Sequence, residues 1–257
     1  MKHLTFILLT LTGTVTIGMA KAQQHIKVLT YNIHHGENVK GEQNLQGIAN
    51  VILATDPDLV ALQEVDSVTR RVKMADQMKE LAAQTGMYIY FGKAMNYDGG
   101  GYGTGILSKF PIKDQRSIAL PAHGTGSEPR VAAMVTLQLP GDSLIQFIST
   151  HLDHLDDPAA RIQQINLLLQ HVKNAHPLII AGDFNAAPDS KEIGLIKAHF
   201  SDATASLGAT WPSEKPEKKL DYIFLSGKGN WEVKRAEVIG EAIASDHRPV
   251  LCELDLK

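Results

Sequence analysis

Residues 178–188 read LIIAGDFNAAP and restrict the possible folds of this chain more than any other stretch. Four apolar residues in a row, Leu178, Ile179, Ile180 and Ala181, follow Pro177. A run without polar alternation reads as a strand covered on both faces. Gly182 removes a Cβ where the backbone is expected to turn. Asp183 and Asn185 then stand two apart, and on an extended strand end such residues project the same way. A carboxylate and an amide would thus be held together at a rigid strand tip, which positions groups better than a free loop. The competing reading is a plain turn, because Asp and Asn both favour turns.

Neighbours for that strand are spread along the chain. Strands are expected over residues 26–32, 58–65, 87–93, 105–108, 118–120, 131–139, 143–150, 220–225, 231–239 and 249–256. Helices are expected over 44–54, 73–85 and 191–197. Another is opened by Asp157 and Pro158, with the stripe Ile162, Ile165, Leu168 or Leu169, and Val172. Residues 98–105, DGGGYGTG, read as a glycine-rich turn, and Pro140-Gly141 as a hairpin turn. With no repeat and no linker, the expected fold class is α/β (α+β): two packed sheets with helices outside.

Residues 1–22 carry an early Lys, an apolar and Thr-rich middle, and a small-x-small ending at Ala20-Lys21-Ala22. They read as a secretory signal peptide, leaving one domain over 23–257. The protein is therefore expected to be exported, periplasmic or secreted, as a monomer with no stable membrane anchor. Removing Lys2 and Lys21 leaves 25 − 2 = 23 Lys plus Arg against 28 Asp plus Glu. That balance lacks the wide basic field of a protein that grips long nucleic acid. Cys252 is the only cysteine, so no internal disulfide forms, and its strand parity with Val250 and Leu254 makes it a core residue.

Chemistry-bearing groups recur at strand ends. They are Asn32 in LTYNIHHG, Glu64 in LVALQEVD, His151 and Asp153 in FISTHLDH, the Asp183–Asn185 pair, and Asp246 with His247 in IASDHRPV. Asp221 heads another strand in KLDYIFL. Each alone reads equally well as a solvated strand end, a turn cap or a structural histidine. Together, close carboxylates repel by roughly 4 kcal/mol per pair at an effective dielectric near 20, so the cluster calls for a cation, protonation or separation. Glu and Asn oxygens without Cys favour Mg²⁺ or Mn²⁺. The histidines are then free for acid–base work or for donating to a phosphate. A zinc reading, in which His34-His35 and THLDH superficially resemble the HxHxDH motif of metallo-β-lactamase-like hydrolases, lacks its first ligand because position 149 is Ser.

The ordered set TYN, LQE, STHLD, GDFN, LDYIF and SDH, running from residue 30 to 247, resembles the endonuclease/exonuclease/phosphatase superfamily. Its members include pancreatic-type deoxyribonucleases, abasic-site endonucleases, neutral sphingomyelinases and inositol polyphosphate phosphatases. The resemblance implies a four-layer α-β-β-α sandwich, DNase I-like, with the site at one end. It implies Glu64 as the main Mg²⁺ (or Mn²⁺) ligand, with Asn32 and Asp246 completing the shell directly or through water. Asp183 would position or deprotonate the attacking water, with Asn185 holding it or a phosphate oxygen. His247, oriented by Asp221, would contact the scissile phosphate, and His151 and Arg130 would bind its oxygens. One departure stands out: where some relatives place an acid two residues beyond the first-strand Asn, this chain has His34.

The resulting expectation is a divalent-metal hydrolase of phosphate esters, small, lipid-derived or nucleic acid. A nuclease, or a silent relative that only binds a ligand, are the alternatives. Loops 96–105, 121–129 and 206–219 are expected to shape the pocket, with Tyr102 and Trp211 as residues that could reach substrate.

Overall fold

Ile26 and Val28 face one way and Leu29 and Tyr31 the other, and all four are buried. The same alternation splits Ile179 and Ala181 from Leu178 and Ile180. Strands buried on both faces belong in the middle of a layered stack. The computed structural model describes residues 24–172, 176–227 and 229–257; the expected signal segment, 1–22, lies outside them.

In chain order the elements are β1 (Gln24–Asn32), α1 (Leu45–Thr55), β2 (Leu59–Ser67), α2 (Gln77–Thr85), β3 (Tyr88–Tyr97), β4 (Gly100–Ser108), β5 (Ile112–Leu120) and β6 (Arg130–Gln138). Then come β7 (Leu144–His151), α3 (Ala159–His171), β8 (Leu178–Asp183), α4 (Lys191–Lys197), β9 (Ser201–Asp202), β10 (Asp221–Leu225), β11 (Trp231–Val238) and β12 (Val250–Leu256). They form two six-stranded sheets, ordered β11-β12-β1-β2-β4-β3 and β5-β6-β7-β8-β10-β9. One core lies between the sheets, joining Val28, Ala61 and Cys252 to Phe147, Ile179 and Ile223. A second lies under α3 and α4, around Ile165, Ile180 and Ile193. A third lies under α1 and α2, around Leu29, Ile48 and Leu81. The result is the four-layer sandwich that the motifs imply.

Each sheet holds one parallel pair at its centre, β1 with β2 and β7 with β8. A parallel pair needs a crossover, and α1 and α3 supply these. Parallel strands end on the same side, so Asn32 and Glu64 finish near one another, and His151 pairs directly with Asp183. This places the site at one end of the sandwich.

Four expectations need correction. Gly182 lies inside β8 rather than at a turn; a Cβ there would sit 2.0 Å from the Thr150 carbonyl oxygen, so glycine is required by strand approach. Likewise Gly100 and Gly103 belong to β4, where a Cβ would meet the Ser67 oxygen at 2.2 Å and the Gly92 oxygen at 2.0 Å. The glycine-rich segment is thus mostly strand. The second helix starts at Gln77, not at 73, because Asp76 caps it by accepting from Lys79 N at 3.3 Å. On α3 the inward face includes Arg161 and Gln164, whereas Ile162 is only partly buried.

Candidate active site

Glu64 sits where β2 breaks register with β4 between Leu62 and Val65, with φ at 57°. A bulge re-aims a side chain, and a non-glycine residue in this conformation stores roughly 1–3 kcal/mol of strain. The surroundings fix where that carboxylate points. Asn32 Nδ2 donates to Glu64 Oε1 at 3.0 Å and to Asp183 Oδ2 at 3.1 Å, tying the two sheets together. Burial alone would raise the Glu64 pKa. The His35 ring facing it at 3.9 Å, the Asn32 amide and the His247 charge outweigh it, holding Glu64 well below the ordinary carboxylate range.

At the tip of β8 the turn and the converging side chains are the same structure. Asn185 adopts φ 48° and its N–H donates to Asp183 Oδ1 at 2.9 Å. Asn185 Nδ2 donates to the Leu152 carbonyl at 3.1 Å, which can only accept, and so presents an N–H to His151 Nε2 at 3.0 Å. His151 is therefore an acceptor at Nε2, with its proton on Nδ1. Burial and the Arg130 charge push its pKa well down, so the ring is neutral. Its buried Nδ1 has no hydrogen-bond partner among the described residues.

His247 faces two acids. Its Nδ1 lies 3.0 Å from Asp221 Oδ2 and its Nε2 lies 3.7 Å from Asp183 Oδ2. Burial would strip the ring's proton, but the Asp221 and Asp183 charges outweigh it and raise the pKa to about 10. Asp183 is pushed above its ordinary range, mainly by burial and then by Asp221, against the pull of His247. The Thr210 hydroxyl holds Asp221 Oδ2 at 2.5 Å.

Asp246 and Glu64 line one cavity of about 890 Å³, together with Asp183, Asn185, His151, His247 and Arg130. Asn32 is buried against Glu64 and Asp183, and Asp221 sits behind His247. The nine residues to which the resemblance assigns roles thus lie in or directly behind one site. Asp246 Oδ2 accepts from Trp211 Nε1 at 3.2 Å, and Ser245 Oγ bonds the Asn32 carbonyl at 2.7 Å. Glu64 and Asp246 offer carboxylate oxygens in one cavity, and Glu64 is kept ionised, which fits a hard divalent cation; Asn32 turns its Nδ2 to Glu64 while its Oδ1 accepts from His34 N at 3.1 Å.

Arg130 is buried rather than on the surface, with Nη2 3.1 Å from Glu128 and 3.2 Å from His154 Nδ1. Its Nη1 donates to the Tyr102 hydroxyl at 3.4 Å. Burial pushes the Tyr102 pKa far up, so its own proton remains available to donate. Tyr102 belongs to β4 instead of a loop, which the glycines around it conceal. Glu128 and His154 also line the cavity, as do His34 and His35. The three expected loops contribute Tyr97, Glu128 and Lys218.

Asp153 is not part of the cavity. It is fully buried, and its carboxylate accepts from Ser127 Oγ at 2.8 Å, Glu128 N at 3.0 Å and Leu155 N at 3.0 Å. Burial raises its pKa, but these bonds outweigh it and lower the value. A lowered folded pKa means stability present above the unfolded value and lost as pH falls through the folded one. Asp153→Asn is expected to cost about 1–3 kcal/mol in urea unfolding at neutral pH. The gap to wild type should narrow on acidification, and a gap independent of pH would contradict this assignment. The zinc pattern fails structurally as well, since Ser149 is buried and donates to the Leu62 carbonyl at 3.0 Å.

The profile of the Endonuclease/Exonuclease/phosphatase family matches residues 29–247. The chain belongs to this family. Endonuclease/exonuclease/phosphatase proteins are generally hydrolytic enzymes, and they typically use divalent metals. Among curated relatives, the uncharacterized protein YbhP of Escherichia coli is 24% identical over 251 residues, covering 91% of this chain and 98% of its own. A UPF0294 protein of Erwinia tasmaniensis is 25% identical over 245 residues, covering 90% of this chain and 81% of its own. A family structure from Beutenbergia cavernae superposes with a TM-score of 0.76 at 22% identity, covering 90% of this chain and 72% of that one.

Proposed function

We propose that this protein is a divalent-metal-dependent hydrolase of phosphate esters. The observation that carries the reading is the Asn32 amide bridging Glu64 and Asp183 at 3.0 and 3.1 Å. It joins a cation-holding carboxylate to a proton-accepting one, both lining a single cavity. Glu64, Asn32 and Asp246 would hold Mg²⁺ or Mn²⁺, which supplies charge neutralisation at phosphorus when bound.

The chain's own groups divide the remaining work. Asp183, fixed by Asn32 and Asn185, orients the attacking water and takes its proton. Asn185 and the neutral His151 hold that water or an adjacent phosphate oxygen. Arg130 places positive charge at the phosphate oxygens, with Tyr102 as a further donor. His247 is kept protonated by Asp221 and donates toward the phosphate, opposite the developing negative charge. A silent binding protein would have no use for an imidazolium clamped between two buried acids.

Tyr97, Trp211 and Lys218 line the cavity and offer aromatic faces and a cation that suit a small phosphoester. The mildly acidic charge points the same way. The leader-like residues 1–22 support export, and no helix among the described residues is long and apolar enough to cross a membrane.

Hydrolysis of bis(p-nitrophenyl) phosphate with Mg²⁺ or Mn²⁺ is the direct test, and chelator is expected to abolish it. Turnover that survives chelation would contradict the mechanism. A parallel panel of supercoiled plasmid, sphingomyelin and inositol phosphates separates the nuclease reading from small phosphoesters. Silence across the panel would favour ligand binding alone.

A further inference from the structure

Beside the oxygen-lined position, the structure carries two histidines that the proposed reaction does not use. His34 and His35 follow β1 in a single 3-10 turn, with ring centroids 4.4 Å apart. One ring nitrogen of each and a Glu64 oxygen all lie within 4.8 Å of one another. We propose that His34, His35 and Glu64 form a second metal position, selective for a borderline transition-metal ion of the Zn²⁺ or Co²⁺ class.

Three observations carry this beyond proximity. The Nδ1 atoms of both His34 and His35 are buried and have no hydrogen-bond partner among the described residues. Buried polar atoms are rarely left so, and two in adjacent rings call for a shared occupant. His35 is nine-tenths buried, and its Nδ1 faces Glu64 Oε2 at 3.9 Å, too far for a hydrogen bond. Finally, His35 Nε2 lies 3.6 Å from Glu37 Oε2. That too is beyond hydrogen-bond length, so the ring has a carboxylate near each nitrogen and a bond to neither; with a cation on Nδ1, Glu37 would stand where the usual outer partner of a metal-ligating histidine stands. A cation between His35 Nδ1 and Glu64 Oε2, 3.9 Å apart, would engage both.

Ligand chemistry sets the selectivity. Two imidazoles and one carboxylate suit Zn²⁺ and its neighbours, whereas Mg²⁺ prefers oxygen and its own water. Three protein ligands leave an open position. The proposal shares Glu64 with the oxygen-lined site but does not rest on turnover, so either reading can fail alone.

Tag-free protein is stripped with chelator, placed in large excess Mg²⁺ and titrated with Co²⁺, whose visible absorption reports nitrogen ligation. One equivalent is expected to bind despite the Mg²⁺ and to be displaced by Zn²⁺. His34→Ala and His35→Gln should each weaken binding at least about tenfold, and Asp246→Asn should leave it in place. Histidine ring-nitrogen NMR of the unaltered protein gives an answer independent of how the variants fold: Zn²⁺ should shift the His34 and His35 signals first. Loss of Co²⁺ to Mg²⁺ competition, variants that bind as tightly as wild type, or shifts confined to other histidines would overturn the assignment.

Discussion

Asp183→Asn is expected to lower turnover of a chromogenic phosphodiester by at least about a thousandfold, the upper part of the range for removing a general base. The substitution keeps size and planarity, and an amide oxygen can still accept from Asn185 N, as Oδ1 does now at 2.9 Å. What it removes is the ability to take a proton. The other acids nearby are already engaged: Glu64 is held ionised on the far side of Asn32, and Asp221 is bonded to His247 and Thr210. No second carboxylate can substitute at the same point. Because Asp183 acts on the attacking water rather than on substrate binding, the loss should fall on kcat with KM changed little. Circular dichroism and a thermal midpoint near wild type would show that the fold survives. A variant within tenfold of wild type would reduce Asp183 to a structural link between β8 and Asn32.

How much of this is legible in the sequence depends on whether a residue's environment is local. The buried runs of β1 and β8 are readable because alternating side chains meet two different cores. Strand-end chemistry is readable for the same reason: a polar residue closing a buried run has few structural excuses. Glycine misleads because two different demands produce it. At 100, 103 and 182 the cause is another strand's backbone within 2.2 Å of a would-be Cβ, which no window of sequence contains. Arg161 is invisible as an inward residue because its partners are Glu192 at 2.9 Å and the Asp153 carbonyl at 3.2 Å. Tyr102 reads as a loop residue, and only the strand on which it lies, opposite Asp66, reveals its place at the cavity. The adjacent histidines at 34 and 35 stand out in the sequence, yet their shared carboxylate, Glu64, lies some thirty residues on and is re-aimed by a bulge.

His247→Ala is expected to cost at least about a hundredfold, in line with removing a positioned donor, and its coupling to Asp221 is the sharper test. Asp221 lies behind the ring, with the Thr210 hydroxyl on the same oxygen at 2.5 Å. If it acts only by keeping His247 oriented and protonated, Asp221→Asn lowers turnover, and the Asp221→Asn/His247→Ala pair is no worse than His247→Ala alone. Residues that act as a unit are non-additive in this way, whereas independent contributions multiply. Removing the ring also leaves the Asp221 charge buried beside a single hydroxyl, a situation that can cost several kcal/mol of stability. His247→Gln addresses this, since its amide can still donate to Asp221 while lacking the positive charge. A folded His247→Gln protein with the same hundredfold loss would locate the effect in the imidazolium. Losses that multiply in the double variant would mean that Asp221 touches the reaction by a route other than His247.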